Sequence, residues 1–164
     1  MTGYLCLGSN LGDRLNNIRS ALAGLEKAGI RVFKTSSVYE TKPHGVDVPQ
    51  ENYYNLVVGI ECDVSPQGLL DTSRRIEDSL GRLRPYRNAP RTIDIDILML
   101  DGESVSTPDL VIPHPRLEER PFVIYPLSEI APHVVLPSGR PIIEVKNGLP
   151  DDEIVKVLTL EENG

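Results

Sequence analysis

The alternation of apolar and polar positions along this chain changes period at several points, and each change marks a predicted element. Tyr4-Leu5-Cys6-Leu7 is a short apolar run bounded by the turn-rich Gly8-Ser9-Asn10-Leu11-Gly12-Asp13, the pattern of a buried strand. Leu15, Ile18, Leu22 and Leu25 then recur at helical spacing until Gly29, a residue suited to ending a helix. Residues 30–41 return to β-type composition, with Val32, Phe33, Val38 and Tyr39 among serines and threonines. Residues 41–52 carry two prolines and a glycine without sustained periodicity, and loops of that length commonly serve function.

From Tyr53 to Cys62 the alternation puts Tyr54, Leu56, Val58, Ile60 and Cys62 on one face and Tyr53 with Asn55 on the other. Ser65-Pro66 starts a second helix, with Leu69, Ile76 and Leu80 on one stripe and Gly81 as its stop. Residues 82–91 form a loop holding Pro85 and Pro90. The next strand points Ile93, Ile95 and Ile97 one way and Asp94, Asp96, Leu98 and Leu100 the other. The order β-α-β-β-α-β predicts an α+β fold with a ferredoxin-like, split βαβ core: an antiparallel sheet with two helices on one face. A C-terminal extension follows, with Ile112-Pro113-His114-Pro115 as a loop, Glu118 to Ile130 as a helical stretch and an acidic tail from Asp151.

Composition narrows the class without changing this picture. A length of 164 residues suits one domain spanning 1–164, and 40% apolar with 25% charged residues is ordinary for a soluble chain. No apolar run is long enough for a bilayer helix and no basic-then-apolar segment opens the chain, so a cytoplasmic location without membrane partners is expected. Cys6 and Cys62 lack metal or redox spacing and read as free buried thiols. A net charge of −7 repels the phosphate backbone, which argues against nucleic acid as partner and for local attraction of a small anion. A monomer is expected.

The candidate chemistry lies where the local charge contradicts the global one. Six of the twelve arginines, Arg74, Arg75, Arg82, Arg84, Arg87 and Arg91, fall between positions 74 and 91, opposed there only by Glu77 and Asp78. They lead into Arg91-Thr92-Ile93-Asp94-Ile95-Asp96-Ile97, where two carboxylates share one strand face about 6.6 Å apart. At an effective dielectric of ~20 such a pair repels by roughly 2.5 kcal/mol, a cost best borne with a cation between them. Paired carboxylates suit Mg²⁺, and guanidinium forks suit phosphate, so the run describes a site for a metal-bound polyphosphate.

The ordered motifs carry a resemblance as well. Leu7-Gly8-Ser9-Asn10-Leu11-Gly12-Asp13-Arg14, Ser37-Val38-Tyr39-Glu40-Thr41, Tyr53-Tyr54-Asn55, Gly81-Arg82-Leu83-Arg84, Pro90 to Ile97, Pro113-His114-Pro115-Arg116 and Pro126 to Pro132 together resemble the 6-hydroxymethyl-7,8-dihydropterin pyrophosphokinases of folate biosynthesis, over roughly residues 4–135. The resemblance implies transfer of pyrophosphate from MgATP to the hydroxymethyl group of 6-hydroxymethyl-7,8-dihydropterin, with release of AMP. It implies that Asp94 and Asp96 hold two Mg²⁺ ions and that Arg82, Arg84 and Arg91 engage the triphosphate, with Arg82 and Arg91 joining the two aspartates as catalytic residues. Glu77, His114 and Arg120 would stand on the nucleotide side. The pterin would lie between Tyr53 and Phe122, with Asn55 and the segment Thr41, Pro43 and His44 around its polar edge. Loops 41–52 and 82–91 would close over the nucleotide and exclude water.

Blander readings compete with these. Gly8-Ser9-Asn10-Leu11-Gly12 lacks the Gly-Lys-[Ser/Thr] ending of a phosphate loop and reads as a tight turn. Arg74 and Arg75 read as surface charges near a helix end. Two other functions remain compatible with the scaffold: a two-metal nucleotidyl transferase or cyclase, which would release pyrophosphate, and an RNA-binding module. The acidic charge and the absence of an aromatic-rich RNP1 pattern count against the second.

Overall fold

The computed structural model describes residues 1–43, 49–81, 89–151 and 154–160. Strand β1 (Thr2–Ser9) leads into helix α1 (Arg14–Lys27), whose first turn is capped by Asp13 accepting from the Asn16 amide at 3.1 Å. The helix ends before Gly29, at φ +87°, a backbone region glycine enters without steric cost. The stretch read as one strand over residues 30–41 is two, β2 (Arg31–Thr35) and β3 (Ser37–Thr41). Ser36 causes the break. Its amide donates to the Val57 carbonyl at 2.9 Å while its hydroxyl accepts from the Val57 amide at 2.9 Å, so a side chain replaces a backbone group in the ladder.

Strand β4 (Tyr53–Glu61), helix α2 (Pro66–Ser79) and strand β5 (Asp94–Leu100) complete the predicted core, with Ser65 capping α2 and Pro66 in its first turn. The sheet order is β5-β1-β4-β3, with β2 also beside β4 and every pairing antiparallel. That is the split βαβ arrangement: α+β, with consecutive strands separated in space by insertion of β1 and β4.

The two core helices, α1 and α2, share one face, as predicted, and the C-terminal extension covers the other. Leu5, Leu7, Leu56, Val58, Ile95 and Ile97 pack on α1 and α2. Cys6, Val57 and Leu98 pack on the opposite side against α3 (Pro121–Ile130) and α4 (Ile142–Asn147), the latter not separated from loop by the apolar pattern. Each of these fully buried aliphatic side chains contributes about 1.5–3 kcal/mol of transfer free energy. The expected helical stretch from Glu118 is a 3-10 turn at Leu117–Glu119 followed by α3.

Two further expectations are corrected. A bulge opposite Tyr4/Leu5 adds one residue to β5, so Leu98 keeps the face of the two aspartates but Leu100 turns to the α1/α2 side. Residues after Asp151 are not simply an acidic tail. Strand β8 (Ile154–Thr159) lies antiparallel on β3, because the β-prone Ile154-Val155-Lys156-Val157-Leu158-Thr159 stands between the acidic ends. In addition, β6 (Val105–Ser106) and β7 (Val111–Ile112) make a small hairpin before the proline loop. Both cysteines are free and buried, as expected, and no helix among the described residues is long and apolar enough to cross a membrane.

Candidate active site

Antiparallel pairing brings the last residues of β1 and β3 and the first residues of β4 and β5 to one edge of the sheet. On the face toward α3 this edge opens into a cavity of about 610 Å³. Strand register fixes its floor: Gly8 stands between Asn55 on β4 and Asp94 on β5, and Cys6 stands opposite Asp96. Glycine at position 8 is required by space, since a Cβ there would lie 2.5 Å from Asn55 Oδ1.

β3 and β4 with their loop contribute Thr41, Pro43, Tyr53 and Asn55 to the lining. Asn55 Nδ2 donates to Thr41 Oγ1 at 2.8 Å, both residues being buried. This bond fixes the amide and leaves its oxygen and the Thr41 hydroxyl proton for another partner. The start of α3 adds Phe122 and Arg120, whose guanidinium lies 5.4 Å from the Phe122 ring centroid.

β5 and its approach contribute Arg91, Asp94 and Asp96. Arg91 Nη1 donates to Asp94 Oδ2 at 2.9 Å in a half-buried ion pair. Among the described residues Asp96 has no such close partner: burial and then the neighbouring Asp94 push its carboxyl up to about 7, against the opposing pull of Arg120 and Arg91. Two carboxylates that cannot comfortably both ionise beside each other are the donor set of a cation. Among the described residues no cluster of three or more His, Cys, Asp and Glu side chains could hold a metal. Two protein carboxylates therefore fit an oxygen-seeking ion that fills its shell with water and phosphate, and do not fit a protein cage of the zinc or calcium type.

The tight turn expected over Gly8–Gly12 contains Asn10, which braces this arrangement. Asn10 is buried, its Oδ1 accepts from the Arg91 amide at 2.8 Å, and its own amide donates to the Arg91 carbonyl at 3.0 Å. Its Nδ2 donates to Gln50 Oε1 at 2.9 Å, tying the loop after β3 to the approach of β5.

Two residues implied for the nucleotide side do not line this cavity. Glu77 is buried on α2, where its Oε2 accepts from the Ile95 amide at 2.8 Å, so it holds the backbone of β5 and does not line the cavity. His114 lines a neighbouring cleft of about 350 Å³ formed with Leu117, Glu118 and Pro137. Its Nδ1 accepts from the Arg116 amide at 3.1 Å, which places a neutral ring's proton on Nε2. Burial, then Arg120 and Arg116, hold its pKa below the usual histidine value. His44, Arg82 and Arg84 lie outside the described residues. The sequence alone did not mark Cys6, Gly8, Lys42, Gln50, Arg116, Glu119, Pro121 and Pro150 as part of the cavity lining. Strand alternation carried the signal for Cys6 and Gly8, whereas nothing local marks Pro150.

Comparison with known proteins agrees with this geometry. The family described as 7,8-dihydro-6-hydroxymethylpterin-pyrophosphokinase (HPPK) matches residues 4–132. The chain is 45% identical over 132 residues to the 2-amino-4-hydroxy-6-hydroxymethyldihydropteridine pyrophosphokinase of Bacillus subtilis, covering 80% of this chain and 78% of that one. It is also 45% identical over 155 residues to the protein of the same name from Methylorubrum extorquens, covering 94% and 97%. A crystal structure of Plasmodium falciparum HPPK-DHPS with pteroate superposes with a TM-score of 0.69 at 17% identity. That match covers 90% of this chain and 42% of the other, and at such identity it establishes the fold alone. With the family's match spanning every strand of the cavity floor and near-complete alignment to relatives of similar length, the chain belongs to the 7,8-dihydro-6-hydroxymethylpterin-pyrophosphokinase family.

Proposed function

We propose that the cavity divides its work between a ring-binding wall and a phosphate-binding wall. As a pyrophosphokinase of this family, the enzyme transfers pyrophosphate from ATP to the hydroxymethyl group of 6-hydroxymethyl-7,8-dihydropterin in folate biosynthesis. The substrate hydroxymethyl oxygen forms a bond to the β-phosphorus, the bridging bond to the α-phosphate breaks, and AMP leaves.

In our assignment Tyr53 and Phe122 flank the pterin. Asn55 Oδ1 and the Thr41 hydroxyl, left available by their mutual hydrogen bond, read its polar edge, with Pro43 beside them. Arg91 and Arg120 face the triphosphate. Their task is alignment and neutralisation, because phosphoryl-type transfer asks little covalent chemistry of a protein. Arg91 is held for this by Asn10 at its backbone and Asp94 at its guanidinium, so little reorganisation accompanies reaction. Arg82 and Arg84 join the same side by the family pattern, and Glu77 acts through β5. His114 Nε2–H presents a donor near Arg120 on the nucleotide side.

Asp94 and Asp96 are the residues that would hold two Mg²⁺ ions. Bound there, Mg²⁺ would screen the phosphate charge and make the substrate hydroxyl easier to ionise, which removes the need for a side-chain general base. The single observation that carries the reading is the pairing of Asp94 with Asp96 on one strand face, in a cavity that also holds Arg91, Arg116 and Arg120.

The test is the nucleotide product. Full-length protein with ATP, Mg²⁺ and 6-hydroxymethyl-7,8-dihydropterin should yield AMP, and chelation of Mg²⁺ should stop turnover. ADP, or free pyrophosphate without a pterin product, would refute the assignment.

A further inference from the structure

The family match ends at residue 132, yet the cavity lining includes Pro150, well beyond it. The segment around Pro150 is fastened on both sides. Upstream, Leu149 packs against the core formed with α3 and α4, and its carbonyl accepts a hydrogen bond from Tyr125 Oη at 3.4 Å. Tyr125 lies three residues after Phe122 on α3, hence on the same stripe of that helix. Anchoring Leu149 there carries Pro150 to the part of the wall that holds Phe122.

Downstream, β8 runs antiparallel to β3 with Ile154 opposite Thr41, the residue that fixes Asn55. The far end of this pairing is secured by Thr159 Oγ1, 3.1 Å from Ser37 Oγ, and Ser37 in turn donates to Glu129 on α3 at 2.9 Å. β3 is thereby an interior strand at the very end that enters the cavity. Proline has a fixed φ and no N–H, so what it presents at the rim is a rigid apolar edge that forms no hydrogen bond with a ring substituent.

We propose that Pro150, fixed by the Tyr125–Leu149 hydrogen bond and the β3–β8 pairing, is a specificity-determining residue that seats the pterin against the rim of the cavity. This rests on the reading above that Tyr53, Asn55 and Phe122 hold the ring. A strand that only covered a sheet edge would protect β3 from unwanted pairing and leave substrate affinity alone.

Steady-state kinetics on the full chain separate the two. Pro150→Gly should raise KM for the pterin about fivefold, with KM for ATP and the thermal midpoint unchanged. Pro150→Ala, which keeps a Cβ, should raise it less. Tyr125→Phe, which removes the anchor of Leu149 but leaves Pro150, should reproduce part of the rise, about twofold. Hydrogen exchange supplies a readout without turnover: the pterin alone should slow exchange of the Asp151 amide. An unmoved pterin KM in both Pro150 variants overturns the proposal. A parallel rise in both KM values, the mark of general loosening, also overturns it. Wild-type turnover is the control for the reading beneath: no product from wild type removes that reading, whereas normal wild-type turnover with indifferent Pro150 variants removes only the role of Pro150.

Discussion

Asp96 carries the opposition between fold and function in one side chain. Its carboxyl lies against Cys6 and beside Asp94, and burial followed by that like charge raises it to about 7 from the ordinary aspartate value of 3.8. For an acid raised in the folded state, the native protein binds more protons than the unfolded chain between those two values. Stability of the metal-free protein therefore falls as pH rises through the window from about 4 to 7, and the loss is complete above it. Asp96→Asn removes this group from the balance. In chelator-treated protein the variant should melt higher than wild type at pH 8, and the difference should shrink as pH approaches 4. Thermal melts across that range check it; equal pH dependence in the two proteins would show that Asp96 ionises as freely folded as unfolded. The same variant should have lost turnover, since a carboxamide lacks the charge that holds a divalent cation.

At the level of elements, helix α3 is the hinge between the sheet and the cavity, and one residue does much of the fastening. Glu129 accepts from the Ser37 amide at 3.0 Å, the Ser37 hydroxyl at 2.9 Å and the Tyr39 hydroxyl at 2.6 Å, all on β3. These bonds, led by Tyr39 and aided by Lys156, more than offset partial burial and hold its pKa below the ordinary glutamate value. A carboxylate depressed in the folded state contributes stability that is present above the unfolded pKa and is lost as pH falls through the folded one. Glu129→Ala should cost roughly 1–2 kcal/mol in urea unfolding at pH 7, because the site remains partly solvated. The cost should diminish at acid pH, where the wild-type carboxylate is itself protonated. A variant as stable as wild type at pH 7 would show that water replaces all three bonds without loss. Glu77 fastens β5 in the same manner from the opposite side of the sheet, through the Ile95 amide. The two glutamates thus hold, from opposite faces, the strand that carries the acids and the strand that carries Thr41.

On the scale of the whole molecule, the cavity is assembled by residues from Cys6 to Pro150 of one chain, on six elements and their loops. We expect specific activity to be constant across a dilution series spanning several orders of protein concentration; a fall on dilution would indicate that a partner completes the site. Much of this architecture was legible in the residue order. The β-α-β-β-α-β core follows from alternation in β1, β4 and β5 and from helical spacing in α1 and α2, where one face of each element is uniformly apolar. The two core helices share one face, as predicted; the cover on the other face was less legible because α3 is apolar nearly throughout and interrupted by Pro126, and α4 is only six residues long, so neither displays a clear stripe. Leu100 was misplaced because a bulge inserts one residue into a pattern of period two, and such a shift reverses every side chain beyond it.

Residue order alone determined that Asp94 and Asp96 share a face, that Tyr53 and Asn55 share another, and that arginines crowd the approach to the acids. Those are relations between near neighbours, and the pleat of a strand enforces them wherever the strand lies. Tertiary structure decided that both faces belong to one cavity, that Asn10 holds Arg91, and that Pro150 joins Phe122 in the lining of that cavity. It also turned Glu77 away from the cavity and set His114 in the cleft next to it. Such relations depend on register between strands far apart in the chain and on which helix lands on which face, and these are settled by packing of the whole core and not by the periodicity of any one segment.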